Sequence, residues 1–165
     1  MEIVSRDQLP LMVNSDEPIG LELGVAKGEF SAKLLSCIEW SHFFAIDKWN
    51  DHHNMSEYWE AKLKLEEWKG VLVIRSTFAD ARILFPNAFF DFIYIDGYAH
   101  TGQEGGETLD QWWTALKIGG IFAGHDYHPQ WQPTIDAVDD FADRHRLTKP
   151  SLTTKDEFPS WWFVK

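Results

Sequence analysis

The stretch from Ile19 to Phe30, reading IGLELGVAKGEF, limits what this chain can fold into, because it passes from a short apolar strand through a glycine turn into a helix. Glu22, Gly24 and Gly28 stand in an E-x-G-x-x-x-G spacing. Such a turn lets backbone approach a ligand where a Cβ would collide, and it aims free helix N-terminal amides at whatever lies above. Nucleotide-like cofactors are held in this way. A dinucleotide fingerprint would need G-x-G-x-x-G after the strand, whereas Gly24-Val25-Ala26 lacks the second close glycine. A pyrophosphate at this turn is therefore disfavoured. Gly20, Gly24 and Gly28 also repeat every four residues, a spacing used in membrane helix packing. Glu22, Lys27 and Glu29 interrupt that run, and no apolar segment reaches the roughly 20 residues that span a bilayer, so no membrane partner is expected. A purely structural turn is the remaining alternative.

A second apolar run, His42 to Asp47 (HFFAID), ends in a carboxylate that falls 25 positions after Glu22. In a β-α-β unit the second strand lies beside the first, so Asp47 ends near the same glycine turn, where it can accept the hydroxyl protons of a ribose. The plainer alternative is a solvated acid at a strand end. Phe30, Leu34, Leu35 and Ile38 join the two runs at helical spacing, and the combination is more specific than either acid alone.

With these residues in place, the chain resembles the class I S-adenosylmethionine-dependent methyltransferases. Glu22, Gly24 and Gly28 match the first motif of that family, and Asp47 matches its ribose-binding acid. FDFIYIDGYAH, Phe90 to His100, resembles the fourth-strand motif, and LKIGGIFAGHDY, Leu116 to Tyr127, resembles the turn and fifth strand that follow. The pairing of I-D-G and a following H with G-G-I and H-D-Y looks most like small bacterial O-methyltransferase-like domains related to antibiotic-sugar methyltransferases. The likeness runs from about Ile19 to the C-terminus. It implies an α/β three-layer sandwich: a Rossmann-like, seven-stranded, mostly parallel sheet whose last strand is antiparallel.

The alternation of patterns agrees with helices on both faces of a sheet. A helix is predicted over Met55 to Lys69, a strand over Val71 to Arg75, a short helix over Phe78 to Leu84 and a strand over Phe89 to Asp96. Gly105 to Lys117 reads as a helix stopped by Gly119-Gly120, with a strand over Ile121 to His125. Gln132-Pro133 opens another helix with Ile135, Val138, Phe141 and Ala142 on one face, and Leu147 to Thr153 and Ser160 to Lys165 read as the final strands. At 165 residues and 44% hydrophobic content, residues 1–165 are expected to form a single methyltransferase domain. The formal charge of −11 repels phosphate backbones and counts against nucleic acid as a partner. Cys37, the lone cysteine, and an N-terminus without a secretion pattern suit the cytoplasm.

Glu22, Asp47, Ser76, Asp96 and Asp126 all fall at or just past predicted strand ends, where open α/β sheets bind ligands. The resemblance assigns Glu22, Gly24, Gly28, Asp47, Ser76, Thr77 and Asp96 to S-adenosylmethionine, with Ser76 and Thr77 beside the adenine and Asp96 near the methionine end. Capping of the next helix is the other reading of Ser76 or Thr77. Around Asp96 the chain gathers His100, His125, Asp126 and His128. His100 is the candidate general base, since a histidine titrates near neutrality, and a loop histidine bonded to backbone is the alternative. Asp96 and Asp126 could ligate Mg²⁺, a hard cation that prefers carboxylate oxygens. Related sugar methyltransferases carry an acid pair after the fifth strand, where this chain has His125 before Asp126.

Asp51, His52 and His53 read as a solvated lid loop, with adjacent histidines pointing apart and Trp49 and Trp59 available to cover the pocket. Only about 18 residues precede the first strand, which leaves the pocket open or completed by a second subunit of a homo-oligomer. The resulting expectation is methyl transfer to a small-molecule acceptor, with a hydroxyl oxygen favoured. N-methyl transfer and an inactive cofactor-binding module are the alternatives. Replacing Gly24 with Val is expected to block the cofactor while the fold survives.

Overall fold

Seven short β-patterned segments form one sheet in the computed structural model, which describes residues 3–165. In chain order the elements are β1 (Ile19–Leu23), α1 (Glu29–Cys37), β2 (His42–Asp47), α2 (Met55–Leu65), β3 (Val71–Arg75), α3 (Phe78–Arg82) and β4 (Phe90–Ile95). They continue with the single turn α4 (Gly102–Gly105), α5 (Glu107–Trp113), β5 (Leu116–Gly124), α6 (Gln132–His145), β6 (Ser151–Leu152) and β7 (Trp161–Val164). The sheet order is β3-β2-β1-β4-β5-β7-β6. β1 to β5 pair in parallel, and β7, last in the chain, runs antiparallel to both β5 and β6. The three-layer, Rossmann-like arrangement expected from the sequence is thus the observed one. Its strand order switches direction between β1 and β4, the place where such sheets bind ligands.

Side chains alternate across each strand, so the near-continuous apolar strands feed two cores. Phe43, Ala45, Phe92 and Tyr94 face Leu34, Leu35 and Leu65 on the side of α1 and α2. Leu21, Leu23, Ile93 and Ile95 face Phe78, Trp112, Val138 and Phe141 on the side of α3, α5 and α6. Every residue of β4 is buried, which explains why FDFIYI shows no solvent-facing alternation. α2 starts at a capping box in which Asn54 accepts the amides of Ser56 and Glu57 and the Glu57 side chain returns to the Asn54 amide. A 3-10 segment over Arg6–Met12 precedes β1, anchored by fully buried Leu9 and by Asp156, which accepts Ser5 Oγ and the Arg6 amide at 2.9 Å each. The sequence reading placed no element there.

The largest difference lies around Gly119-Gly120. α5 ends at Trp113, and β5 starts at Leu116, before the glycines. Phe90 pairs with Leu116 but Phe92 pairs with Ile121, so the intervening residues bulge out of the ladder. Gly119 takes φ +82° there, and Ile118 is 90% exposed. A glycine pair serves a bulge as well as a helix stop, and periodicity cannot separate the two. α2 likewise ends at Leu65 rather than Lys69, followed by Gly70 at φ +80°. Among the described residues no helix is long and apolar enough to cross a membrane.

The packing gives a direct test. Phe92→Ala, at a fully buried position, is expected to lower the unfolding free energy by about 3–5 kcal/mol in urea titrations, whereas Ile83→Ser, at an 84% exposed position, changes it by less than about 0.5 kcal/mol.

Candidate active site

The carboxyl ends of β1, β2, β4 and β5 surround one cavity of about 550 Å³. Its wall includes Glu22, Gly24, Asp47, Asp96, His100 and Asp126. Four of the five strand-end polar residues singled out in the sequence therefore meet, and Ser76 does not. Thr77 also lies outside the wall: its hydroxyl caps α3 by accepting the Asp80 amide at 3.1 Å and donates to the Asp80 carboxylate at 2.7 Å. The rings of Phe78 and Tyr98, 5.1 Å apart, line the cavity instead. Phe78 carries a helix-start pattern that masks this second role.

Asp47 organises the glycine turn. Its Oδ2 accepts the amides of Val25 at 2.9 Å and Ala26 at 3.0 Å, and its Oδ1 accepts the Trp49 amide at 3.2 Å. The Gly24 amide donates to Ile46 O and the Gly28 amide to Val25 O. The amides of Gly24, Val25, Ala26 and Gly28 are thus already paired, and the turn does not present them to a ligand. Gly24, at φ +93°, passes so close to β4 that a Cβ would collide with the Asp96 carbonyl oxygen. The expectation that Gly24→Val spares the fold is corrected by this contact, because the clash is with backbone rather than with a ligand. Gly28, at φ +74°, is the N-cap of α1 and abuts Ala61.

Glu22 sits inside the sheet at 1% exposure and receives a hydrogen bond from Ser31 Oγ on α1. Burial pushes its carboxyl up to about 8 despite that bond, so it holds a proton at neutral pH. Asp96 is treated in the opposite way. Burial disfavours its charge, but the hydrogen bond and charge of His125, together with Arg6, outweigh burial and hold it below the usual carboxylate range. Arg6 Nη1 lies 3.2 Å from Asp96 Oδ2, and the guanidinium sits 4.2 Å from the Phe30 ring centre. The segment before β1 therefore supplies a wall of the cavity from the same chain, a contribution the sequence reading did not assign.

His125 does not line the cavity but stands behind it. Its Nδ1 is 3.0 Å from Asp126 Oδ1 and 3.4 Å from Asp96 Oδ1. Burial opposes protonation of the ring, yet hydrogen bonds to Asp126 and Asp96 overcome it and push the pKa up to about 9. Asp96, His125 and Asp126 each offer a ligand atom within 4.8 Å of the others. Asp96 and Asp126 supply the carboxylate oxygens considered for magnesium, and His125 adds to them a nitrogen donor, which magnesium favours less than oxygen and retained water. His128 accepts the Gln130 amide at 3.2 Å and lies outside the wall.

The loop after β2 does reach the cavity through Asp51, His52 and His53. Its histidine rings are 4.2 Å apart rather than splayed, because the chain bends there instead of running extended. His53 Nδ1 pairs with Glu57 at 3.0 Å. Neither tryptophan covers the pocket: Trp49 is buried with its Nε1 donating to Ala26 O at 2.8 Å, and Trp59 is 53% exposed on α2. Trp131, from the turn before α6, lines the cavity, although nothing in its spacing announces it.

Two buried groups set a pH dependence of stability. Glu22 keeps its proton in the folded chain from about 4.5 up to about 8, so folding takes up a proton and stability falls as pH rises through that window. His125 adds stability below about 6.5 that is lost as pH rises through about 9. Glu22→Gln is expected to raise the unfolding free energy at about pH 8 by about 4 kcal/mol and to change it little at about pH 4. Urea titrations at the two pH values check this.

The methyltransferase domain family model matches residues 21–127, more than half of the chain. A comparison with curated proteins gives no match. Among solved structures, a protein assigned as a caffeoyl-CoA O-methyltransferase from Staphylococcus aureus superposes with a TM-score of 0.73 at 17% identity, covering 99% of this chain and 86% of that one. An O-methyltransferase from Bacillus cereus in complex with SAH gives 0.71 at 16% identity, with 98% and 82% covered. An rRNA methylase from Streptococcus thermophilus gives 0.66 at 16% identity, with 94% and 90% covered. At such identities the likeness concerns the fold, and these neighbours differ in what their names say they act on. The family match runs from β1 to just beyond β5 and so includes the strand ends that enclose the cavity; the chain belongs to the methyltransferase domain family, with the class I S-adenosylmethionine-dependent fold.

Proposed function

We propose that this chain, as a single domain over residues 1–165, transfers a methyl group from S-adenosylmethionine to a hydroxyl oxygen of a small molecule. The observation that carries this reading is the continuous cavity of about 550 Å³ that joins the glycine turn and Asp47 to His100. A cavity of this volume suits a nucleoside cofactor with a small acceptor beside it. Its features also suit that cofactor. Phe78 and Tyr98 offer aromatic faces for a purine, and Asp47 retains lone-pair capacity toward a ribose beyond the three amides it accepts. Glu22, protonated at neutral pH, provides a donor at the cavity floor. Gly24 and Gly28 keep the turn in its left-handed conformations. Ser76 and Thr77 act through the turn that positions Phe78.

When bound, S-adenosylmethionine supplies a methyl carbon on a positively charged sulfur that is open to displacement by a nucleophile. Asp96, ionised and paired with Arg6, presents negative charge to the cationic methionine end. His100 lies on the cavity wall and is exposed, so its ring takes up the acceptor's hydroxyl proton as the new carbon–oxygen bond forms. Orientation of the acceptor supplies most of the remaining rate. The net charge of −11 disfavours a nucleic-acid acceptor, and the lone Cys37 suits a cytoplasmic setting. Arg6 closes one side of the cavity from within the chain, so the reading does not depend on a second subunit.

Calorimetry and a labelled-methyl screen over hydroxylated metabolites test the proposal together. Asp47→Ala is expected to weaken S-adenosylmethionine binding by at least about tenfold, close to 1.4 kcal/mol. His100→Gln is expected to leave that affinity unchanged and slow transfer by roughly a hundredfold. Absence of S-adenosylmethionine binding by the unaltered chain contradicts the reading.

A further inference from the structure

One side of the sheet is left open. β3 is the outer strand there, and among the described residues nothing pairs with its free edge. The Phe43 amide donates to Gly70 O and the Ser76 amide to Asp47 O, so the even-numbered residues of β3 turn their backbone groups toward β2. Val71, Val73 and Arg75 turn theirs outward. Chains usually blunt such an edge with a proline, a bulge or several charges. VLVIR has one charge, and its register against β2 runs unbroken from Val71 to Arg75.

Exposed apolar side chains flank this edge on both faces of the sheet. On α2, Met55, Trp59 and Leu63 recur every four residues as an exposed stripe. Glu60 and Lys64 mark the opposite flank of α2, where they meet Lys27 beside α1, so the stripe turns to the outer side of the sheet. On the other face Leu72 and Leu84 are exposed, while Arg82 ties the far flank of α3 to Gln111 and Thr114 at the end of α5. Charge does not oppose a copy at this side. Between Glu60 and Arg82 five cations accompany four acids, so the self-repulsion expected of a chain at −11 is locally absent.

We propose that the β3 edge and the α2 stripe form an interface with a second copy of this chain, with β3 pairing antiparallel to β3 of the copy about a two-fold axis at Val73. The edge is complementary to itself in that register, which pairs the whole strand. Val73 meets Val73 of the copy and Val71 meets Arg75, so the outward-facing residues become the hydrogen-bonded pairs, each exchanging two bonds. Leu72 meets Ile74 on the α3 face, and no like charges stand opposite each other. The stripe has the same symmetry, because turning Trp59 onto Trp59 brings Met55 to Leu63. A two-fold contact of this kind closes on two copies and leaves no free β3 edge. The inference stands apart from the methyl-transfer reading, since its readout is assembly.

Sedimentation of the full chain tests the state, and cysteine cross-linking tests the register. At about 50 µM the unaltered chain is expected to sediment at twice the chain mass and to dissociate on dilution. Val73→Arg, which sets two cations face to face, and Trp59→Glu, at an exposed helix position, are each expected to give a monomer with an unchanged far-UV circular dichroism spectrum. In a Cys37→Ser background, mild oxidation is expected to link Val73→Cys into a covalent dimer, because directly opposed residues lie about 5.5 Å apart between Cα atoms, within disulfide reach. Val71→Cys stays unlinked, since in this register it lies about 13 Å from its own counterpart. A monomer at about 50 µM overturns the proposal. A dimer that survives both Val73→Arg and Trp59→Glu, or one in which Val71→Cys cross-links as readily as Val73→Cys, overturns it as well.

Discussion

The site depends on one carboxylate. Asp47 ends β2 and turns back to accept the amides of Val25, Ala26 and Trp49, which ties the turn after β1 to the strand beside it. A buried acid with three backbone donors is held firmly, and each donor would carry a desolvation penalty if left alone. Trp49 completes the clamp through its indole bond to Ala26 O. The turn is then pressed against the end of β4 at Gly24, where no side chain fits. The cavity is the space left above two strand ends fixed in this way.

Charge around that space is balanced by the chain's own residues. Glu22 is buried deeply enough to stay neutral, while Asp96 stays ionised because Arg6 and His125 flank it. Two acids a few residues from strand ends thus end in opposite protonation states, a consequence of partners rather than of residue type. Arg6 comes from a segment outside the sheet, and its reach into the site links the N-terminal 3-10 turn to the β4 end. Anchoring of that turn by Asp156 connects it in turn to the chain between β6 and β7.

Much of this was legible in the sequence. Strands that end in a carboxylate beside a glycine turn leave a local signature, so Glu22, Gly24, Asp47 and Asp96 could be placed at one rim from spacing alone. Asp126 followed from the same logic on β5. Residues that reach the cavity from elements without periodicity left no such mark: Arg6 lies in a 3-10 turn and Trp131 in a short connection. Ser76 and Thr77 were read from their place after β3, but the hydroxyl of Thr77 is consumed by the cap of α3, and the ring next to it faces the cavity instead. The role of His125 required coordinates, since a histidine beside an aspartate reads equally as ligand, base or ion-pair partner. Gly119 and Gly120 show the same limit at the level of the fold, where one composition serves a bulge or a helix end.

The most direct measurement of the central claim is a crystal structure of the chain grown with S-adenosylhomocysteine. The nucleoside is expected above the turn at Gly24, with its ribose against Asp47, its purine beside Phe78 and Tyr98, and its methionine portion toward Asp96. Clear density for the compound elsewhere on the molecule, with the space between Asp47 and Asp96 filled by side chains, would contradict the account.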